Sequence, residues 1–248
     1  MALWTDRNFP QIEDLERVDS EVVSVASAAQ IDLNGKIAEA QDTIDDWLSL
    51  YLQRSAMGAP AKPGDVVITS PLRRLAVASA LSMVFRDAHF RQMADRFKEK
   101  WKEYERLAMC AQRDLAAAGV GRVSKPLRRP SSPMVIAGSG SLSTGTYYVC
   151  TSIVDGRGGE SEAGEPAVVT TQTLATLTVS LGIVASGATG WNVFMGRTFE
   201  SMTQQNALPI PVESTFSSGS SLLDNGRAPE AGQSADHYTQ AVNRIIRG

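Results

Sequence analysis

The sequence predicts a multidomain α plus all-β protein, with an N-terminal antiparallel helical bundle followed by a small β-sandwich. Three observations predict it. Apolar residues recur at three and four positions through the first half, whereas short β-rich runs separated by turn residues fill the second. Composition shifts near residue 130, where Ala, Leu, Arg and Glu give way to Ser, Thr, Gly and Val. Charge divides the chain as well: residues 1–66 hold five Lys/Arg and twelve Asp/Glu, residues 70–133 fourteen and six, and residues 134–248 five and nine. A net charge of −3 therefore conceals blocks of −7, +8 and −4. At 248 residues the chain has room for two cores. The divisions place a bundle at residues 1–120, a Pro-rich linker at 121–133, a sandwich at 134–226 and a C-terminal arm at 227–248.

Pro10 suits a first helical turn, and Ile12, Leu15, Val18, Val22, Val25, Ala26 and Ala29 then predict one amphipathic helix. Asp32 can cap a second, whose stripe Leu33, Ile37, Ala40, Ile44, Trp47, Leu48 and Tyr51 leaves Glu39, Asp42, Asp45 and Asp46 to solvent. Residues 57–69 read as a loop with a short extended Val66-Val67-Ile68. Ser70-Pro71 starts a helix that is apolar on nearly every side to Phe85, as a central helix is. From His89 the stripe Phe90, Met93, Phe97, Trp101, Tyr104, Ala108, Ala111 and Leu115 predicts the longest helix. Arg91, Lys98, Lys102, Arg106 and Arg113 share its flank at spacings of 7, 4, 4 and 7. Two readings stand: a solvated face with Asp95, Glu99 and Glu103 as local partners, or a basic surface for DNA or the acidic face of a neighbouring subunit.

Three prolines, Pro126, Pro130 and Pro133, make residues 121–133 a stiff linker carrying Arg122, Lys125, Arg128 and Arg129. Strands are predicted at 134–137, 146–154, 167–173, 177–181, 191–195, 214–216 and 221–223. Both faces of 146–154 are fairly apolar, which predicts a central strand, and Asp155 to Gly159 supplies the turn after it. Beyond a polar spacer, Ser234-Ala235-Asp236 can cap a short helix with the stripe Tyr238, Val242, Ile245 and Ile246 and the bases Arg244 and Arg247.

Gly145-Thr146-Tyr147-Tyr148-Val149, Gly159-Glu160-Ser161, Ala188-Thr189-Gly190-Trp191-Asn192-Val193-Phe194 and Leu222-Leu223-Asp224-Asn225-Gly226 resemble the fibronectin type III or immunoglobulin-like modules frequent in tailed-phage structural proteins. The acidic-then-basic bundle, the linker and one such module together resemble the head-to-tail connector, or adaptor, proteins of tailed bacteriophages. That resemblance rests on architecture and on the helical texture from Phe90 to Leu115. It implies a homo-oligomeric ring, usually about twelve-fold, beneath a portal protein, with the bundle around the DNA channel and double-stranded DNA passing without sequence recognition. The appended sandwich departs from many adaptors, and would hold other neck or tail proteins. The resemblance also makes residues Tyr238, Val242, Arg244, Ile245, Ile246 and Arg247 a portal-docking arm.

Catalytic chemistry is expected to be absent. The Gly-rich stretches at 138–141 and 156–159 lack the strand-to-helix setting and lysine of a phosphate loop, and no nucleophile elbow occurs. Asp45 and Asp46 point about 100° apart on a helix. Two Cys, Cys110 and Cys150, and two His, His89 and His237, give no metal framework or disulfide set, so no cofactor is expected. Apolar runs fall short of the ~20 residues a membrane helix needs, and the start lacks a secretory pattern. The expectation is a structural virion protein of the neck, assembled in the host cytoplasm and not an enzyme. The alternatives are a tail, baseplate or surface-binding module that recognises a glycan or protein through the sandwich, and an undetected hydrolase.

Overall fold

The computed structural model describes residues 1–6, 9–55, 62–92, 95–183, 187–229 and 232–240. The chain combines helices with antiparallel sheets and divides into two compact units. Residues Arg7–Ser124 and Ala235–Gly248 make a helical unit, and Met1–Asp6 with Lys125–Ser234 make a β unit. The chain thus begins in the β unit and, after Ser234, returns to the helical one.

In the helical unit, α1 (Ile12–Glu16) and α2 (Val22–Ala28) replace the single helix expected from Ile12 to Ala29. The break is chemical. Asp19 is buried and its Oδ1 accepts the Glu21 amide at 3.0 Å, a local bond that competes with helix continuation. At the far end Gln30 takes φ 53°, and Ile31 N donates to Ala26 O at 2.8 Å while Gln30 N donates to Ser27 O at 3.1 Å. This is the paired reversal that closes a helix through a left-handed residue.

The next helix, α3 (Leu33–Ser55), buries Ile37, Ala40, Ile44, Leu48 and Tyr51 of the predicted stripe and Leu52 beside it, while Leu33 and Trp47 of that stripe are half-buried. α4 (Ser70–Gln92) buries ten residues from Leu72 to Ala88 on more than one side, so it is flanked by α2, α3 and α5 (Asp95–Ala118). Here the predicted boundary moves: His89 to Gln92 complete α4, and a separate helix starts at Asp95. Gly119, at φ 91°, ends α5, with its amide donating to Leu115 O at 2.9 Å.

Part of the expected linker is folded structure. β1 (Val120–Arg122) pairs antiparallel with β10 (His237–Thr239), and Val67 N donates to Gly121 O at 3.1 Å. Val66, Val67 and Ile68 are buried against it. A side chain at Gly121 would meet Thr69 Cγ2 at 2.9 Å and Ala235 Cβ at 3.1 Å, so only glycine fits this crossing without displacement. The helix expected to begin at Ser234-Ala235-Asp236 is not formed there: His237–Thr239 are strand because β1 offers them a ladder.

In the β unit, β2 (Met134–Leu142), β5 (Ala175–Ser180) and β9 (Phe216–Ser217) form one sheet in the order β2-β5-β9. The second sheet runs β4 (Ala167–Thr171), β3 (Gly145–Val154), β6 (Gly190–Gly196), β7 (Thr203–Gln204), with β8 (Ile210–Pro211) also on β6. Side chains of both sheets, including Leu177, Val179, Tyr147, Val149 and Trp191, share one core. β3 is paired on both sides and buried on both faces, as its sequence predicts. Asp155 Oδ1 accepts the amides of Arg157 and Gly159 at 2.9 and 2.7 Å and so holds the predicted turn. Residues 221–223 are not a strand: Leu223 N donates to Gln205 Oε1 at 2.9 Å, a side-chain bond in place of a ladder.

Candidate functional site

α5 carries the surface on which the sequence placed its basic face. Its inner side buries Phe97, Ala111 and Leu115, and Tyr104 stacks on Phe85 of α4 with ring centres 5.6 Å apart. Lys98 is half-buried, and Lys102, Arg106 and Arg113 are exposed. Arg106 pairs with Glu103 at 2.8 Å, one turn away, whereas Lys98, Lys102 and Arg113 have no ion pair among the described residues. Arg91 does not belong to this face. It lies on α4, and its Nη1 donates to Ala29 O at 2.9 Å and Gln30 O at 2.7 Å. The Arg91 guanidinium therefore satisfies carbonyls at the reversal that ends α2, the role a cation plays at a helix C-terminus.

The residue missed by the sequence is Lys100. Its Nζ lies 2.7 Å from Asp19 Oδ2 and 3.0 Å from Glu21 Oε2, and 4.9 Å from the Phe85 ring centre. Tyr104 OH donates to the same Asp19 Oδ2 at 2.9 Å. Burial acts to raise the Asp19 pKa, but the bonds from Lys100, Tyr104 and the Glu21 amide outweigh it and hold the carboxyl below its ordinary value. Burial and the Asp19 contact push the Tyr104 phenol well above its ordinary value. Arg73 likewise meets Asp14 at 3.1 Å, and Lys36 meets Asp87 at 2.7 Å. At these places the acidic and basic blocks meet within one chain.

Between α1, α4 and α5 lies a groove of about 370 Å³. Its walls are Val18, Val77, Ala78, Leu107, Cys110 and Ala111, and Val18 and Leu107 are themselves exposed, at 57% and 38%. The rim is mixed in charge: Asp14 is tied to Arg73, while Asp114 and Arg74 have no ion pair among the described residues. On α5 the spacing Leu107, Cys110, Asp114, Ala117 puts groove wall, thiol, rim carboxylate and the helix's last turn on one stripe.

The basic residues of 121–133 fall in different units. Arg122, in the helical unit, bonds Asp65 Oδ2 and Thr239 Oγ1, both at 3.2 Å. In the β unit Arg129 donates through Nε to Ala163 O at 2.8 Å, and its amide donates to Asp6 Oδ2 at 3.1 Å. Burial pushes the Asp6 carboxyl up to about 6. Lys125 and Arg128 are exposed. Of these four, Arg122 and Arg129 each have partners within their own unit.

Of the expected docking arm, Tyr238 lies in β10, and Val242, Arg244, Ile245, Ile246 and Arg247 lie outside the described residues. Cys110 is half-buried at the groove, and Cys150 is buried in β3 with its thiol pushed up to about 12 by that burial. His237 Nδ1 contacts Asp236 Oδ1, and the His89 ring lies 6.2 Å from that of Trp101. Among the described residues no group of three or more His, Cys, Asp or Glu side chains is arranged to hold a metal ion. Among the same residues no helix is long and apolar enough to cross a membrane. No known family matches this chain, and no curated protein matches it.

Proposed function

We propose that the chain is a non-enzymatic structural subunit of a tailed-phage neck, a head-to-tail connector that forms a ring beneath the portal around the DNA channel. The supporting observation is the outward face of α5, where Lys102 and Arg113 stand exposed, with no ion pair among the described residues, beside the exposed apolar Met109. Cations together with apolar side chains suit a contact with a neighbouring subunit better than a purely solvated face. The helical unit is read as an antiparallel bundle. The β unit is read as an immunoglobulin or fibronectin III-like sandwich, because two antiparallel sheets share the core around Tyr147 and Trp191.

A second reading is favoured by one feature of the β unit. β2 lies at the end of its sheet, carries no charged residue, and exposes Met134 and Ile136 at 63% and 60%. An uncharged open edge can take an added strand from a protein partner, as in a tail or baseplate module that recognises a cell-surface protein. Mixing the purified chain with portal rings and separating by size tests the two. Co-migration with the portal supports the connector. Free migration, together with binding to intact host cells or their surface glycans, supports the surface module and rejects the connector.

A further inference from the structure

We infer that the outward stripe of α5 docks on the outward stripe of α3 in a second copy of this chain, so that copies join head to tail. On α5, Lys102, Arg106, Met109 and Arg113 are exposed and fall within about 60° of one another, opposite the buried Phe97, Ala111 and Leu115. Glu99 and Glu105 flank this stripe at about 60° to either side. On α3, Asp42, Asp46 and Leu50 are exposed and fall within about 80°, opposite the buried Ile37, Ala40, Ile44 and Leu48. Each stripe carries a large apolar side chain that its own unit leaves open: Met109 is 55% exposed and Leu50 56%. The charges are unlike. Lys102 and Arg113 have no ion pair among the described residues, and neither have Asp42 and Asp46.

Spacing and chemistry agree. With Leu50 seated on Met109, Asp42 falls level with Lys102, to within about 1.5 Å, when the two helices run the same way, and Asp46 falls level with Arg113 when they run opposite ways. Either direction sets an acid against a base beside an apolar contact. Exposed ion pairs contribute little by themselves, and burial of Leu50 and Met109 supplies the rest. DNA would meet only the basic stripe and would leave the acidic one without an occupant. A second copy satisfies both, because every copy carries both. Two different faces that fit one another propagate from copy to copy and close a ring where the angle between them allows. This pairing rests on the connector reading for its closure and adds the face that each subunit presents to the next.

The test is native mass measurement of the full chain at low salt for wild type, for Asp42→Lys combined with Asp46→Lys, for Lys102→Glu combined with Arg113→Glu, and for an equimolar mixture of the two variants. Each variant alone is expected to dissociate about tenfold more readily than wild type, because reversal sets like charges opposite one another. Circular dichroism should be unchanged, since all four residues are exposed. The mixture is expected to recover wild-type assembly with the two variants in equal number, since each reversed face then meets its opposite. A mixture that stays dissociated, or either variant assembling as wild type does, would overturn the inference and leave the connector reading in place. Loss of double-stranded DNA retention by the second variant with its assembly intact would assign the α5 stripe to DNA and overturn the inference as well. A wild type that never assembles would remove the connector reading together with it.

Discussion

Lys100 holds Asp19, its Nζ 2.7 Å from a carboxylate whose side chain is 6% exposed, and this contact ties the break between α1 and α2 to α5. Removing Lys100 would leave Asp19 buried with Tyr104 and one amide as donors. Lys100→Ala is therefore expected to cost about 1–3 kcal/mol, measured by urea unfolding at neutral pH.

The same pair sets an acid limit. The folded-state pKa of Asp19 lies below its ordinary 3.8, so its contribution is complete above that value and lost as pH falls through the lower folded value. Asp19→Asn should be less stable than wild type at pH 7, and the difference should shrink as the pH is taken below 3.8. A difference that is constant with pH would show that the carboxylate charge is not what matters there.

Asp6 behaves in the opposite sense. Its folded value is raised to about 6, so the folded state binds a proton more tightly than the unfolded chain between 3.8 and 6, and stability falls as pH rises through that window. Asp6→Asn keeps an oxygen to accept the Arg129 amide. It should match wild type near pH 4 and exceed it at pH 7.5 in thermal unfolding.

Arg91 and Lys102 should separate cleanly. Arg91→Ala removes the donor shared by Ala29 O and Gln30 O and should destabilise the chain by about 1–2 kcal/mol, whereas exposed Lys102→Ala should change stability by under about 0.5 kcal/mol. Thermal melts of the two variants are the check.

Gly121→Ala introduces a methyl 2.9 Å from Thr69 Cγ2 and 3.1 Å from Ala235 Cβ, so β10 is expected to loosen from β1. Amide exchange at Tyr238 and Thr239 should accelerate while that in the α4 core is little changed.

What was legible in the sequence was local. α3, the apolar α4, the doubly paired β3 and the Asp155 turn each follow from periodicity or turn chemistry inside a dozen residues. Several of the differences turn on distant partners. Nothing near Asp19 announces Lys100, 81 residues on, and nothing in His237–Thr239 announces a ladder with Val120–Arg122. Arg91 reads as one face with Lys98 because the apolar period continues unbroken past Gln92, where α4 ends. The groove could not be read at all, since Val18, Leu107 and Val77 look like ordinary members of three separate stripes until the helices pack.

The most direct test of the connector account is native mass measurement of the purified chain beside a variant carrying Lys102→Glu and Arg113→Glu. The account predicts a closed ring of identical copies for the wild type and a shift toward the protomer for the variant, strongest at low salt because exposed charges are screened at high salt. A wild-type protein that stays monomeric at every concentration, with or without portal rings, would contradict it.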